Sequence, residues 1–446
     1  MRYWLLICIL TCGACPSGLA GTRQEILSEL EASFQRDLVN AWYPRSVDER
    51  HGGYVTGFDN AWQANEETNK YLVGQSRHIW VLSQLALFEG DTGYSAQARH
   101  GVRFLIEQMW DHDRGGFYEA VTQAGVPIER EKKSAYGMSF SIYALSAFHA
   151  ATGDEEALEY ARKAFLWLDR FAWDSEAGGY VDDLSLDGDW TRKRIGNGDT
   201  LASGSKDYNS SIHILESYTS LYTVWPDEHL RQRLQQMLEI VRDRFVQEPG
   251  YLHLIFERDW QPLSFRDKGR DAVLGKLAYD HVSWGHDVET AFLMLEAVEA
   301  LHGEVDAKTA ETAKALVDHA LATGWDERLG SLYEGGYYFE ESGPLEVVMP
   351  NKIWWIAAES LNALLLMSQL YPEEPKYWQA FADQWAYIKE YQIDPVNGGW
   401  MSVGLDSDPL AASRAKAYRW KANYHDARAY MNCIRMLRGE FHLTRH

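Results

Sequence analysis

The feature that most constrains this chain is a turn that returns at long, regular intervals. "DERHGGY" begins at Asp48, "DHDRGGF" at Asp111, "DSEAGGY" at Asp174 and "DPVNGGW" at Asp394, each placing an aspartate four positions ahead of a Gly-Gly-aromatic tripeptide. "DERLGSLY" at Asp326 is a weaker copy, and "QEPGYLHL" around Gly250 is weaker still. The leading glycines at 52, 115, 178, 250, 330 and 398 are therefore spaced by 63, 63, 72, 80 and 68 residues. Paired glycines permit a tight reversal through positive φ, and the aromatic that follows can open a short strand or act as a plug.

Between the turns, apolar residues recur at helical spacing in 77–88, 155–171, 229–245, 309–324, 359–371 and 377–391. Roughly two helices fit between successive turns. Six copies of a two-helix unit close naturally into a ring of hairpins, and no polar capping repeat points to an open solenoid. The expectation is an all-α toroid, one domain over residues 21–446, with the inner helix ends around a central cavity.

Residues 1–20 differ from the rest. Arg2 precedes the apolar run "YWLLICILTCGAC" and then "PSGLA", whose Gly18 and Ala20 form a small-x-small cleavage pattern. This predicts an export signal, with lipid attachment at Cys15 as a variant; a mis-assigned start would instead leave the protein cytoplasmic. No later stretch reaches 18 uncharged apolar residues, so no membrane span is expected. Cys433 is the one cysteine outside the leader, which excludes an intramolecular disulfide and a cysteine metal site in the body. A net charge of −22 repels nucleic-acid phosphates rather than gathering them. The 18 tryptophans and 25 tyrosines suggest an aromatic cleft suited to sugar rings, since each brings a flat face and a polar handle.

Function should sit where an otherwise apolar helix carries a polar stripe. Asn209, His213 and Glu216 share one face, as do His286 and Glu289 just after Gly285. Lys352, Trp355, Glu359 and Asn362 line up at three- and four-residue spacing, with Trp354 beside them. Lys421, His425 and Arg428 follow Trp420; two flanking cations disfavour the protonated ring and leave His425 a neutral base. Arg77 with Trp80 and Gln84, and Tyr136 with Phe140 and Tyr143, form two further stripes. Each stripe also has a structural reading, as a closed polar seam or an aromatic core face. Three histidines and a glutamate could ligate zinc, yet they lie on separate helices without H-E-x-x-H or E-x-x-H spacing. Paired carboxylates for glycoside hydrolysis are the other alternative. Histidines outnumber acids in the stripes, which favours removal of a weakly acidic carbon-bound proton.

"YNSSIHILESYTSLY" (208–222), "SWGHDVETAFLMLEA" (283–297), "NKIWWIAAESLNALL" (351–365) and "WKANYHDARAYMNCIRML" (420–437), in that order, resemble the N-acylglucosamine 2-epimerase superfamily, and within it the cellobiose 2-epimerases. The resemblance spans roughly residues 24 to 438. It implies an (α/α)6 barrel with short β-hairpins in the loops, working without metal or organic cofactor. It further implies that His286 and His425 exchange the C2 proton of a reducing-end aldose through a cis-enediol. By the same resemblance His213 helps bind the reacting sugar, and Glu289 orients and polarises His286. Trp355 and Trp420 hold the sugar rings, Arg77 lies near the enediolate oxygens, and Tyr136 and Asn209 complete the matched positions; Glu359, from the 351–362 stripe, is a further expected substrate contact. The implied partner is a β-1,4-linked disaccharide, with the protein a monomer or weak homodimer. Epimerisation of N-acylglucosamine and mannose–glucose isomerisation are the neighbouring alternatives. Ala357 stands near a position where the superfamily commonly carries glutamine, and an exported member is unusual.

Overall fold

The computed structural model describes residues 22–128, 132–195, 198–340 and 343–444. The expected leader, residues 1–20, and its three cysteines lie outside the described residues. Twelve helices of eleven or more residues make the frame: α1 (Arg23–Ser33), α2 (Leu72–Glu89), α3 (Thr92–Phe104), α4 (Ala135–Thr152), α5 (Glu155–Phe171), α6 (Tyr208–Val224), α7 (Glu228–Ile240), α8 (Trp284–His302), α9 (Ala307–Thr323), α10 (Trp354–Leu370), α11 (Pro375–Tyr387) and α12 (Tyr424–Arg438). The even-numbered helices α2, α4, α6, α8, α10 and α12 pack successively against one another, and α12 returns to α2. Each carries one odd-numbered helix on its outside, with α1 seated on α12. The ring is a toroid of α/α hairpins, as the glycine spacing predicts.

Position in the ring explains the composition of each helix. In the inner α4, residues 137–148 are all buried, because neighbours cover both flanks and an outer helix covers the back. The outer α5 buries one face only, through Ala157, Leu158, Ala161, Ala164, Phe165, Trp167 and Leu168. α2 and α4 both end at a left-handed glycine, Gly90 and Gly153, and the next aspartate caps the outer helix: Asp91 accepts from Gly93 N–H and Asp154 from Ala157 N–H.

At the other end sit the glycine turns. Asp48, Asp111, Asp174, Asp326 and Asp394 each accept backbone N–H bonds from the residues two and three positions on. Their second oxygens receive buried lysines: Lys70 on Asp48 at 2.9 Å, Lys133 on Asp111 at 2.9 Å, Lys206 on Asp174 at 3.1 Å, Lys352 on Asp326 at 2.9 Å and Lys416 on Asp394 at 2.7 Å. In the fourth repeat the pairing of Val246 with Leu252 puts Gln247 where the others carry the Asp, and Val282 stands where they carry the Lys, so both charges are absent together. That is the arrangement electrostatics favours, since one buried member without the other is strongly destabilising. The described residues form six two-stranded sheets: three are short hairpins as expected (246–247 with 251–252, 325–326 with 331–332, 335–338 with 345–349), and three join strands of neighbouring repeats (70–71 with 120–121, 133–134 with 183–184, 206–207 with 255–256). Trp62 of the first hairpin donates to Asn397 O at 2.9 Å and lies across Gly399, closing the first repeat onto the last.

Two stripes read from the sequence each lose their first member on folding. α10 starts at Trp354 and α12 at Tyr424, so Lys352 and Lys421 precede their helices and helical spacing does not apply to them. Lys352 bridges Asp326 and Asp406, both at 2.9 Å, and Lys421 donates to the carbonyls of Trp400 and Lys416.

Candidate active site

The first two turns of all six inner helices point to one end of the ring and enclose a cavity of about 190 Å³. Arg77 comes from α2, Tyr136 from α4, Asn209 and His213 from α6, His286 and Glu289 from α8, Trp354 and Trp355 from α10, and His425 from α12. Trp420, on the loop ahead of α12, completes the lining and is 48% exposed at the mouth. Nine of the ten site residues expected from sequence thus surround one space; Glu359 is the exception. Ala357 is buried and outside the lining.

The Trp355 indole connects the two histidines. Its centroid lies 4.5 Å from the His286 ring and 5.9 Å from the His425 ring. Gly285 makes this approach possible: a Cβ there would stand 2.6 Å from Ile356 Cγ1 and 2.8 Å from the edge of Trp355.

His425 is backed by a carboxylate. Its Nδ1 lies 2.6 Å from Glu359 Oε1, which fixes Nδ1–H as a donor and leaves Nε2 as the nitrogen with a lone pair. Burial first, then Arg77 and Arg428, hold His425 well below the ordinary histidine range, so the ring is neutral near pH 7. The sequence reading anticipated a neutral ring but attributed part of it to Lys421; the second cation is Arg77, delivered from α2. Glu359, expected among the substrate contacts, stands behind His425 instead.

His286 is held by hydroxyls. Ser283 Oγ lies 2.7 Å from Nδ1, and the Tyr208 hydroxyl lies 3.0 Å from Nδ1 and 3.2 Å from Nε2. Burial, followed by the imidazoles of His213, His281 and His425, pushes His286 well below its ordinary range. The expectation that Glu289 orients His286 is corrected: its Oε1 faces Arg428 Nη2 at 2.6 Å and lies 3.9 Å from His425 Nδ1. The buried guanidinium of Arg428 outcompetes a neutral imidazole for that carboxylate.

Arg428 organises the layer beneath the cavity. Its Nη2 reaches Glu289 at 2.6 Å and Glu359 at 2.7 Å, while Nη1 and the Tyr424 hydroxyl both donate to Glu216. Burial and the adjacent Glu359 push Glu289 up to about 7. Against the penalty of burial, Arg428, His213 and Tyr424 hold Glu216 down at about 2. His213 is oriented by Glu216 Oε2 at 2.9 Å from Nδ1 and packs on Phe140. Arg77 donates to Trp420 O at 2.9 Å and to the Tyr136 hydroxyl at 3.4 Å, tying the cavity wall to its mouth.

Glu289, Glu359 and His425 place ligand atoms within 4.8 Å of one another, the spacing a metal ion would need. Arg428 Nη2 already bridges the two carboxylates, so a divalent cation there would meet a fixed positive charge. The donor set fits an arginine better than a metal. Among the described residues Glu289 is the one carboxylate lining the cavity, which does not match the flanking pair of a glycoside hydrolase. Tyr208, Ser283 and Tyr424 carry no signal in the sequence, because their partners lie on other elements or depend on where a helix begins.

Comparison with known proteins places the chain in a family and a fold. The model of the N-acylglucosamine 2-epimerase (GlcNAc 2-epimerase) family matches residues 52–429. A cellobiose 2-epimerase of Bacteroides fragilis is 28% identical over 418 residues, covering 93% of this chain and 99% of that protein. The structure of a cellobiose 2-epimerase from Spirochaeta thermophila superposes with a TM-score of 0.81 at 29% identity, covering 95% of this chain and 99% of the other. A D-mannose isomerase of Marinomonas mediterranea is 23% identical over 419 residues, covering 92% and 97%. Among the described residues no helix is long and apolar enough to cross a membrane. The chain belongs to the N-acylglucosamine 2-epimerase family, within a superfamily of enzymes that epimerise or isomerise sugars.

Proposed function

We propose that the protein epimerises C2 of the reducing-end glucose of β-1,4-linked disaccharides, converting cellobiose to glucosyl-mannose. The observation that carries this reading is the pair of neutral imidazoles, His286 and His425, both within 6 Å of the Trp355 indole. The reducing ring first opens, because only the free aldehyde makes the C2 proton acidic. One imidazole removes that proton, and the electron pair moves into C1–C2 to give an enediolate. Proton transfer by a positioned imidazole is worth about 10²- to 10⁴-fold. Arg77 is a donor for charge developing on O1 and O2, and Glu289, raised to about 7, adds a second donor when it is protonated. A proton returned to the opposite face of C2, by the second imidazole or after rotation about C2–C3, completes the inversion.

Two observations favour a disaccharide. The cavity of about 190 Å³ falls below the roughly 300–1,000 Å³ of drug-sized pockets and suits one ring, while the exposed Trp420 offers a face for a second. The relatives named as cellobiose 2-epimerases point the same way, and the mannose isomerase relatives mark the second reading, in which the proton returns to C1.

Incubation with cellobiose in deuterated water tests the proposal. The epimerase yields glucosyl-mannose with deuterium at C2. Keto-sugar as the chief product would transfer the assignment to isomerase, and release of unlabelled glucose would transfer it to hydrolase. We also propose that residues 1–20 direct export; recovery of a full-length cytosolic protein from the native cell would overturn that.

A further inference from the structure

The two histidines are held by different chemistry. His425 has a carboxylate on Nδ1, whereas among the described residues His286 has only the hydroxyls of Ser283 and Tyr208. The charged and titratable groups facing His286 are His213 from α6, His281 from the segment ahead of α8, and His425 from α12; all three oppose its protonation. Glu289, one turn along the same helix, is turned to Arg428. When His286 takes a proton, both ring nitrogens become donors, and an acceptor must be at hand in a buried site.

We propose that Tyr208 is a positioning residue for proton transfer, its hydroxyl accepting a hydrogen bond from His286 while that ring carries the C2 proton. The proposal rests on the C2-epimerase reading. In the step concerned the C2–H bond breaks, an N–H bond forms on His286, and the electron pair passes into the enediolate. The resulting imidazolium donates to Ser283 Oγ and Tyr208 Oη, and the same bonds hold the ring while the proton is given back. A hydroxyl suits this role better than a carboxylate. It can donate to the neutral ring and accept from the charged one, and its neutrality keeps the imidazolium acidic enough to return its proton.

Tyr208→Phe tests this, because it keeps the edge-to-face ring contact at 4.5 Å and deletes only the hydroxyl. With thermal melting as a check on folding, kcat should fall about tenfold or more while KM stays within about twofold. The acid limb of the kcat profile should move to lower pH, because the imidazolium loses an acceptor. Independently of activity, the His286 ring-nitrogen NMR titration should move to a lower midpoint. An unchanged titration midpoint, or a loss of rate with an unshifted acid limb, would overturn the role. Absence of C2 deuteration by the unmodified protein would instead overturn the functional reading, and the NMR titration would still report on Tyr208.

Discussion

Glu359 Oε1 lies 2.6 Å from His425 Nδ1, and its carboxylate is shared with Arg428 at 2.7 Å. The carboxylate thus sets the tautomer of the His425 imidazole, while Arg428 opposes protonation of Glu359 against the upward push of burial. Glu359→Gln should lower kcat by about 10²- to 10⁴-fold with little change in KM, as expected when an orienting carboxylate becomes an amide that permits the wrong tautomer. Steady-state kinetics on cellobiose would check this; a normal kcat would show that Glu359 is structural.

Gly285→Ala should impair catalysis while leaving the ring folded. The added methyl would push Trp355 and Ile356 away from α8, altering the contact between the indole and His286. A displacement near 1 Å at a reacting centre can cost about 10²-fold. Comparison of kcat/KM with the melting temperature separates this from unfolding.

Trp420→Ala should act on the second sugar. Because Trp420 lies at the mouth and is 48% exposed, its loss should raise KM for the disaccharide about tenfold, equivalent to about 1.4 kcal/mol. Turnover of free glucose should change far less, and equal losses on both sugars would place Trp420 in the reacting subsite.

Stability should depend on pH with two opposing contributions. His286, His425, His78 and His319 have folded pKa values depressed by burial, the last two to about 3 and about 4. The unfolded chain therefore binds protons first, and stability is lost as pH falls below about 6.5. Glu289 is raised to about 7, so the folded state holds its proton and stability from this group is lost as pH rises from about 4.5 to 7. Glu289→Gln should thus steepen the fall of unfolding free energy between pH 7 and 4.5, measured by urea titration. A shallower fall would contradict the raised carboxyl.

The buried Asp–Lys pairs should behave as units. Lys133→Val alone leaves Asp111 buried without its cation and should cost about 3–5 kcal/mol. Adding Asp111→Val should recover part of that loss, because it removes the uncompensated buried charge; the lost N–H acceptor of Asp111 prevents full recovery. A double-mutant cycle by chemical denaturation measures the coupling.

What the sequence by itself determined is the local and the periodic. The Gly-Gly-aromatic turns are short-range events requiring positive φ, and the apolar spacing between them is set by helix geometry. From these alone the closed ring of hairpins, the inner helices and their polar stripes are legible; that His213, His286 and His425 meet was implied by the family resemblance. Tertiary structure decided which side chains behind those stripes meet. Glu289 and Glu359, seventy residues apart, converge on Arg428, and it is Glu359 that backs His425. Lys352 and Lys421 leave their stripes because the helices begin after them, a matter of which backbone N–H finds a partner in the folded turn. Tyr208 reaches His286 from a helix 78 residues earlier. Contacts of this kind follow from the radius and closure of the ring, which no window along the chain contains.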